Sequence, residues 1–319
     1  VEKGMYFEQL SDAKLTNLRM EEVGYFGRGD AFGFQGAQRG QFGAGIDINL
    51  KYGNYSDISI EDFIFTDVGS STGTSGEPGY NSGAIHVKAR DDGSYASQPA
   101  TLTGVTIRNG TIDGTSTGVR IGEPDKDTAG PSGVVIEGVV IRNAVVGAYD
   151  NQTTTPRTVL LGPGDDDVKV NPKSVGGFIF EGGNGNDKIT GGPKDDVING
   201  GRGSDIIIGG TGRDEVVFDK SFSAYTVTRM PDGSFIVVDR ATGEVDAVSE
   251  VEVFQFQGRT FDVTVPDELA ELTRPVGGGG SGGGAGGGSG GGAGGGSGGG
   301  AGGGAGGQPG GTPANPTDP

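Results

Sequence analysis

The chain has 319 residues, with 42 acidic against 24 basic side chains, a net charge of −18, and neither cysteine nor tryptophan. That balance excludes a nucleic-acid partner, which needs clustered Lys and Arg to release phosphate counterions. Without thiols there are no disulfides or thiolate metal centres, so hard, oxygen-bound cations are the metals open to it. Glycine is the commonest residue: 26 of the 69 lie within residues 277–311, and the other 43 are spread through the rest, so the excess is structural and not only linker.

No run of about 18 apolar residues is present, and no membrane span is expected. The chain opens at Val1 inside a strand-like pattern and closes on a polar tail, residues 308–319, which reads as a fragment of a longer protein with further modules. Residues 1–160 hold short runs of Val, Ile and Phe broken by Gly, Asn or Asp, without helical periodicity. One theme recurs: Leu18-Arg19-Met20, Phe63-Ile64-Phe65, Val105-Thr106-Ile107-Arg108-Asn109 and Val139-Val140-Ile141-Arg142-Asn143. A second strand follows each, at Gly45-Ile46-Asp47-Ile48, Ala84-Ile85-His86-Val87, Gly118-Val119-Arg120-Ile121 and Gly147-Ala148-Tyr149. Such self-similarity predicts stacked rungs of an all-β, right-handed parallel β-helix with loops bulging at residues 69–81 and 122–131. An antiparallel sandwich is the alternative. Aligning the second strands puts Asp47, His86, Arg120 and Tyr149 in one outward column with Lys88 two residues beyond His86, which makes these five candidate contacts for an acidic glycan. A solvated polar face is the plainer reading.

From Gly182 a nine-residue period takes over. Gly182-Gly-Asn-Gly-Asn-Asp-Lys-Ile-Thr is followed in phase by units starting at Gly191, Gly200 and Gly209. Glycines supply the positive-φ backbone of a tight loop, and Ile189, Ile198, Ile207 and Val216 recur at the eighth position as an inward core. One loop plus one strand per unit makes two units a full turn, so loops 18 residues apart stack. That pairs Asp187 with Asp205 and Asp196 with Asp214, and two carboxylates one rung apart repel unless a cation lies between them. Lys194 stands where the second unit should have its third Gly, and is expected to sit in a left-handed conformation at a cost of about 1–2 kcal/mol. An earlier partial copy, Leu161-Gly-Pro-Gly-Asp-Asp-Asp-Val, puts Asp166 21 residues before Asp187. It is a possible ligand if three extra residues, near Asn171-Pro172-Lys173, bulge out.

These four units resemble the G-G-x-G-x-D-x-U-x nonapeptides of the RTX (repeats-in-toxin, haemolysin-type) family. The resemblance implies a β-roll over residues 161–218 that binds Ca²⁺ through Asp187, Asp205, Asp196 and Asp214. Carbonyls near Gly183, Gly185, Gly192, Gly201, Gly203, Gly210 and Gly212 would complete the coordination. It also implies a secreted, extracellular bacterial protein. Beyond the repeats, two alternating strands meet at Pro231-Asp232-Gly233, a hairpin signal, and residues 219–266 read as a β-rich cap. Residues 267–319 read as a disordered Gly-rich linker and tail.

Three functions fit. The first is a calcium-binding module that orders after export. The second is the C-terminal part of a polysaccharide lyase or epimerase, since residues 84–122 are loosely similar to the last rungs of alginate epimerases, although the acidic, His-containing signature of that site is missing. The third is a calcium-dependent adhesin or surface-layer component.

Overall fold

The computed structural model describes residues 3–23, 43–69, 82–91, 95–124 and 130–274, all within one compact unit, Val1–Gly277. The loops expected at 69–81 and 122–131 lie largely outside the described residues, and the Gly-rich linker lies wholly outside them. Among the described residues no helix is long and apolar enough to cross a membrane.

Every pair among the first nine strands is parallel, which the antiparallel sandwich does not allow. Strands β1 (Lys3–Phe7), β4 (Ala44–Leu50) and β6 (Gly83–Ala89), then the C-terminal parts of β7 (Thr101–Gly122) and β8 (Ser132–Gln152), pair in succession. On a second side, β2 (Ala13–Thr16) and β3 (Arg19–Glu21) lie on β5 (Asn54–Thr66), which lies on β7 and that on β8. Strand β9 (Arg157–Pro163) then joins β8 to β11 (Phe178–Asn184), so the sheet continues without a break into the nonapeptide segment.

The turns between sides have a simple cause. Non-glycine residues with positive φ recur five apart in one turn at Asp57, Asp62 and Asp67 and in the turn before it at Asp12, Asn17 and Glu22. Gly104, Asn109 and Gly114, then Gly133, Gly138 and Asn143, take the same places in later turns. Gly, Asn and Asp tolerate the left-handed region best because they lack a Cβ or carry a short polar side chain that bonds locally. The Asn side chains do stack: Asn109 donates to Asp62 at 3.4 Å and Asn143 to Asp113 at 2.6 Å.

Two alignments read from the sequence are corrected. The two Ile-Arg-Asn tripeptides are not equivalent, since Ile107 lies opposite Ile136 and Ile141 opposite Ile112. They occupy different corners of the turn, one five-residue step apart, and look alike because all corners make the same demand. The second strands align as expected through Asp47, His86 and Arg120, but Thr115 lies opposite Ala144 and Thr117 opposite Gly147. This bulge carries one extra residue and turns every later side chain over. Tyr149 therefore faces inward, 1 % exposed, with its hydroxyl donating to the Val139 carbonyl, and Asp150 takes its place in the column.

Strands β10 (Asp167–Lys169), β12 (Lys188–Thr190) and β14 (Ile206–Ile208) form one side of the nonapeptide segment. Strands β11, β13 (Val197–Asn199) and β15 (Glu215–Phe218) form the other. Ile189, Ile198, Ile207 and Val216 are all buried between them. A hairpin of β16 (Tyr225–Arg229) and β17 (Phe235–Asp239) follows, and β18 (Val245–Ser249) pairs antiparallel with β17 and parallel with β14. Strand β19 (Val253–Phe256) adds to β15, and β20 (Arg259–Asp262) folds back antiparallel on β19. Residues assigned to the start of the linker instead form helix α1 (Pro266–Leu272). Pro266 at its first position and Asp267 and Glu268 in the first turn suit a helix start, and Leu272 anchors it in the core.

Gly110 lies between Phe63 and Val139 on neighbouring turns, and a methyl group there would run into the Phe63 ring. Gly110→Ala should therefore destabilise the fold by about 1–3 kcal/mol. Urea titration at fixed calcium checks this, and adding Phe63→Leu should return part of the loss.

Candidate metal centre

The nonapeptide loops are built from a backbone ladder that a carboxylate closes at each rung. Asp187 Oδ1 accepts the amide of Asp166 at 2.9 Å, and Asp205 Oδ1 that of Asp187 at 2.8 Å. On the opposite side Asp196 accepts from Phe178 at 2.6 Å and Asp214 from Asp196 at 2.8 Å. The 18-residue spacing thus brings Asp187 to Asp205 and Asp196 to Asp214, and all four are at most 1 % exposed. Asp166, half-buried, heads the first column. The three additional residues of its turn fall between β10 and β11, where they are absorbed without disturbing register. Further out a second ladder runs at the fifth position, with Asp165 accepting from the amide of Asn186 and Asn186 from that of Ser204.

Each carboxylate has a second oxygen, and its fate separates the loops. Oδ2 of Asp187, Asp205 and Asp214 is buried with no hydrogen-bond partner. Gly183, Gly185, Gly201, Gly203, Gly210 and Gly212 all hold positive φ, between 99° and 144°, so these three loops share one conformation. The second loop differs. Neither Gly192 nor Lys194 has positive φ, which corrects the expectation that Lys194 is strained: the backbone takes another path there. In that path the Gly192 amide donates to Asp196 Oδ2 at 2.6 Å, so Asp196 satisfies both of its oxygens within the protein.

Burial is the leading cause that raises these acids. Asp196 and Asp205 are pushed up to about 6 and Asp214 to about 7, and Asp187 is raised as well. A carboxylate oxygen buried without a donor is costly, and a divalent cation removes that cost. Calcium fits these donors, since it takes 6–8 oxygens from carboxylates and backbone carbonyls. Asp187, Asp205 and Asp214 would supply the charged oxygens and the glycine loops the carbonyls. The Gly183 and Gly192 carbonyls already accept one amide each, from Arg202 at 2.8 Å and Thr211 at 3.0 Å, which leaves each a second lone pair. Among the described residues no three acidic or imidazole side chains converge as a metal cluster, so carbonyl-rich coordination is what this backbone can offer.

Two acidic residues that the nine-residue period does not mark end the ladders. Asp246 Oδ1 accepts the Asp205 amide at 2.9 Å, and Glu252 Oε2 the Asp214 amide at 2.8 Å. They lie 41 and 38 residues on because the hairpin intervenes. The faint signal was Asp246-Ala-Val, an Asp before a small apolar pair, as in Asp205-Ile-Ile.

The column proposed as glycan contacts is closed. Asp47, His86, Lys88 and Arg120 are buried. Asp47 lies between Lys3 at 2.5 Å and Lys88 at 3.1 Å, and Arg120 Nε donates to Asp150 at 2.6 Å. Burial, then the neighbouring Arg120 charge, drives the His86 pKa well below its usual value. Asp150, not Tyr149, is the fifth member. An open surface ladder is therefore replaced by a buried ionic network.

Asp205→Ala should weaken calcium-induced ordering at least tenfold, about 1.4 kcal/mol, and Asp196→Ala clearly less, because only Asp205 has an oxygen waiting for a cation. Circular dichroism titrations compare the two. The acids raised from 3.8 to about 6 or 7 bind protons more tightly folded than unfolded. Their contribution is present below pH about 4 and lost as pH rises towards 7. Calcium-free protein should thus be less stable at pH 8 than at pH 5, calcium should reverse this order, and calcium uptake near pH 6 should release protons measurable by calorimetry in two buffers.

Residues 181–216 match the family model of the RTX calcium-binding nonapeptide repeat, in four copies. No curated protein and no solved structure matches the chain. The stacked loops that hold Asp187, Asp196, Asp205 and Asp214 are RTX nonapeptide repeats, and Ca²⁺ is the ion they bind.

Proposed function

We propose that this chain is part of a secreted bacterial protein in which a right-handed parallel β-helix, residues 1–160, runs into a calcium β-roll, residues 161–218, closed by a β-rich cap. In this reading calcium is the switch for folding. Low cytosolic calcium leaves buried carboxylates uncompensated, and millimolar calcium outside the cell neutralises them and orders the roll. The observation that carries the reading is the trio of buried, unpartnered oxygens on Asp187, Asp205 and Asp214. Affinity per ion should be about 10⁻⁴ to 10⁻³ M, the range of extracellular modules. Calorimetry and circular dichroism of the chelated chain should show uptake of two or more calcium ions with gain of β structure. No response in either would overturn the reading.

One observation favours a second reading, a module of a polysaccharide lyase or epimerase. His86 Nε2 is buried without a hydrogen-bond partner, beside Asp47 and Arg120 and kept neutral, which suits a proton-transfer group. This reading requires acidic oligosaccharide to reach the column. Titration with uronate oligomers should then show binding that His86→Ala or Arg120→Ala weakens tenfold, and unchanged titrations would leave the column as an internal ionic brace.

A further inference from the structure

The roll ends against the cap at a cavity of about 460 Å³, whose lining includes Gly200, Gly201, Gly203, Asp205, Tyr225 and Asp246. Its walls repeat what an ordinary rung provides. On one side is a complete glycine loop with positive φ at Gly201 and Gly203. Asp205 rises from that loop, 1 % exposed, with Oδ2 unpartnered and directed at Gly200. On the other side, where the next nonapeptide would stand, β18 continues the register, Ile206 opposite Ala247 and Ile207 opposite Val248. That register puts Asp246 where the next repeat aspartate would be, and Asp246 Oδ1 accepts the Asp205 amide as Asp205 accepts that of Asp187. The cations nearby do not fill the role: Lys220 is paired with Asp239, and Arg202 is exposed.

We propose that Asp246 completes a terminal calcium site between the last loop of its column and the cap, so that one ion ties the hairpin to the roll. The site takes a hard divalent cation, with Asp205 and Asp246 as charged donors and carbonyls of the 200–203 loop as companions. It rests on the calcium reading of the repeats. What it adds is a ligand outside the nonapeptides and a direct coupling between calcium and the docking of residues 225–249.

Asp246→Asn is the informative variant, because the amide oxygen can still accept the Asp205 N–H and keep β18 in register while the charge is lost. In the whole chain, calcium calorimetry should find one ion fewer in Asp246→Asn than in wild type. Hydrogen exchange should show that calcium protects residues 225–249 in wild type but not in the variant, while loops 183–196 are protected in both. Equal stoichiometry and equal protection of 225–249 in the two proteins would overturn the terminal site and leave calcium binding by the repeats intact. Absence of any calcium uptake by wild type would instead overturn the calcium reading, and this site with it.

Discussion

Everything in the C-terminal half depends on a carboxylate with one oxygen committed and the other left over. At each rung an Asp closes the backbone ladder by accepting the amide one rung earlier, which fixes it in the wall of the coil and removes it from water. The remaining oxygen on Asp187, Asp205 and Asp214 finds no donor. Side chains that build the wall are thereby the ones that destabilise it, and calcium converts a liability of the fold into its fastening. The second repeat shows the alternative: by bending back to donate Gly192 N–H, the loop satisfies Asp196 internally and reduces its need for the ion.

A second dependence is apolar. Leu15, Ile60, Ile107, Ile136, Val159, Phe180, Ile198, Val216 and Phe254 are register partners in turn. This single inward column therefore runs from the first described turn to the cap. The N-terminal coil and the nonapeptide segment differ in loop chemistry but share this spine, and β9 carries the hydrogen-bonded sheet across their junction. At the far end β20 and the ring contacts among Phe218, Phe222, Phe256 and Phe261 cover the final turn, which removes an open strand edge that would invite other chains.

What could be read in the sequence was set by how strictly each position is constrained. The nine-residue period admits little variation, so Asp187, Asp196, Asp205 and Asp214 and their inward partners were legible by count alone. The N-terminal turns vary in length, and there the five-residue recurrence of Asp, Asn and Gly was present but unread. Its uniformity made two different corners look equivalent at Asn109 and Asn143. One extra residue near Val145 was enough to misplace Tyr149, because a strand's two faces alternate and no polar pattern marks the slip. Asp246 and Glu252 were hidden for another reason: they continue the ladders in space after a hairpin has broken the count. Lys194 was misjudged because the consensus was assumed to dictate the backbone, whereas the loop took a different path.

The turns also shorten along the chain. Register partners lie 41 residues apart at Met5 and Ile46, 30 at Val119 and Tyr149, 21 at Val159 and Phe180 and 18 at Ile198 and Val216. Closing an 18-residue loop costs about 0.7 kcal/mol less chain entropy than closing one of 41, and short closures are also the fast ones. Nucleation is therefore cheapest at the C-terminal end, where each completed turn offers the next an ordered edge to pair with. Growth of the sheet then proceeds backwards along the chain, from the part that a ribosome makes last towards the part it makes first.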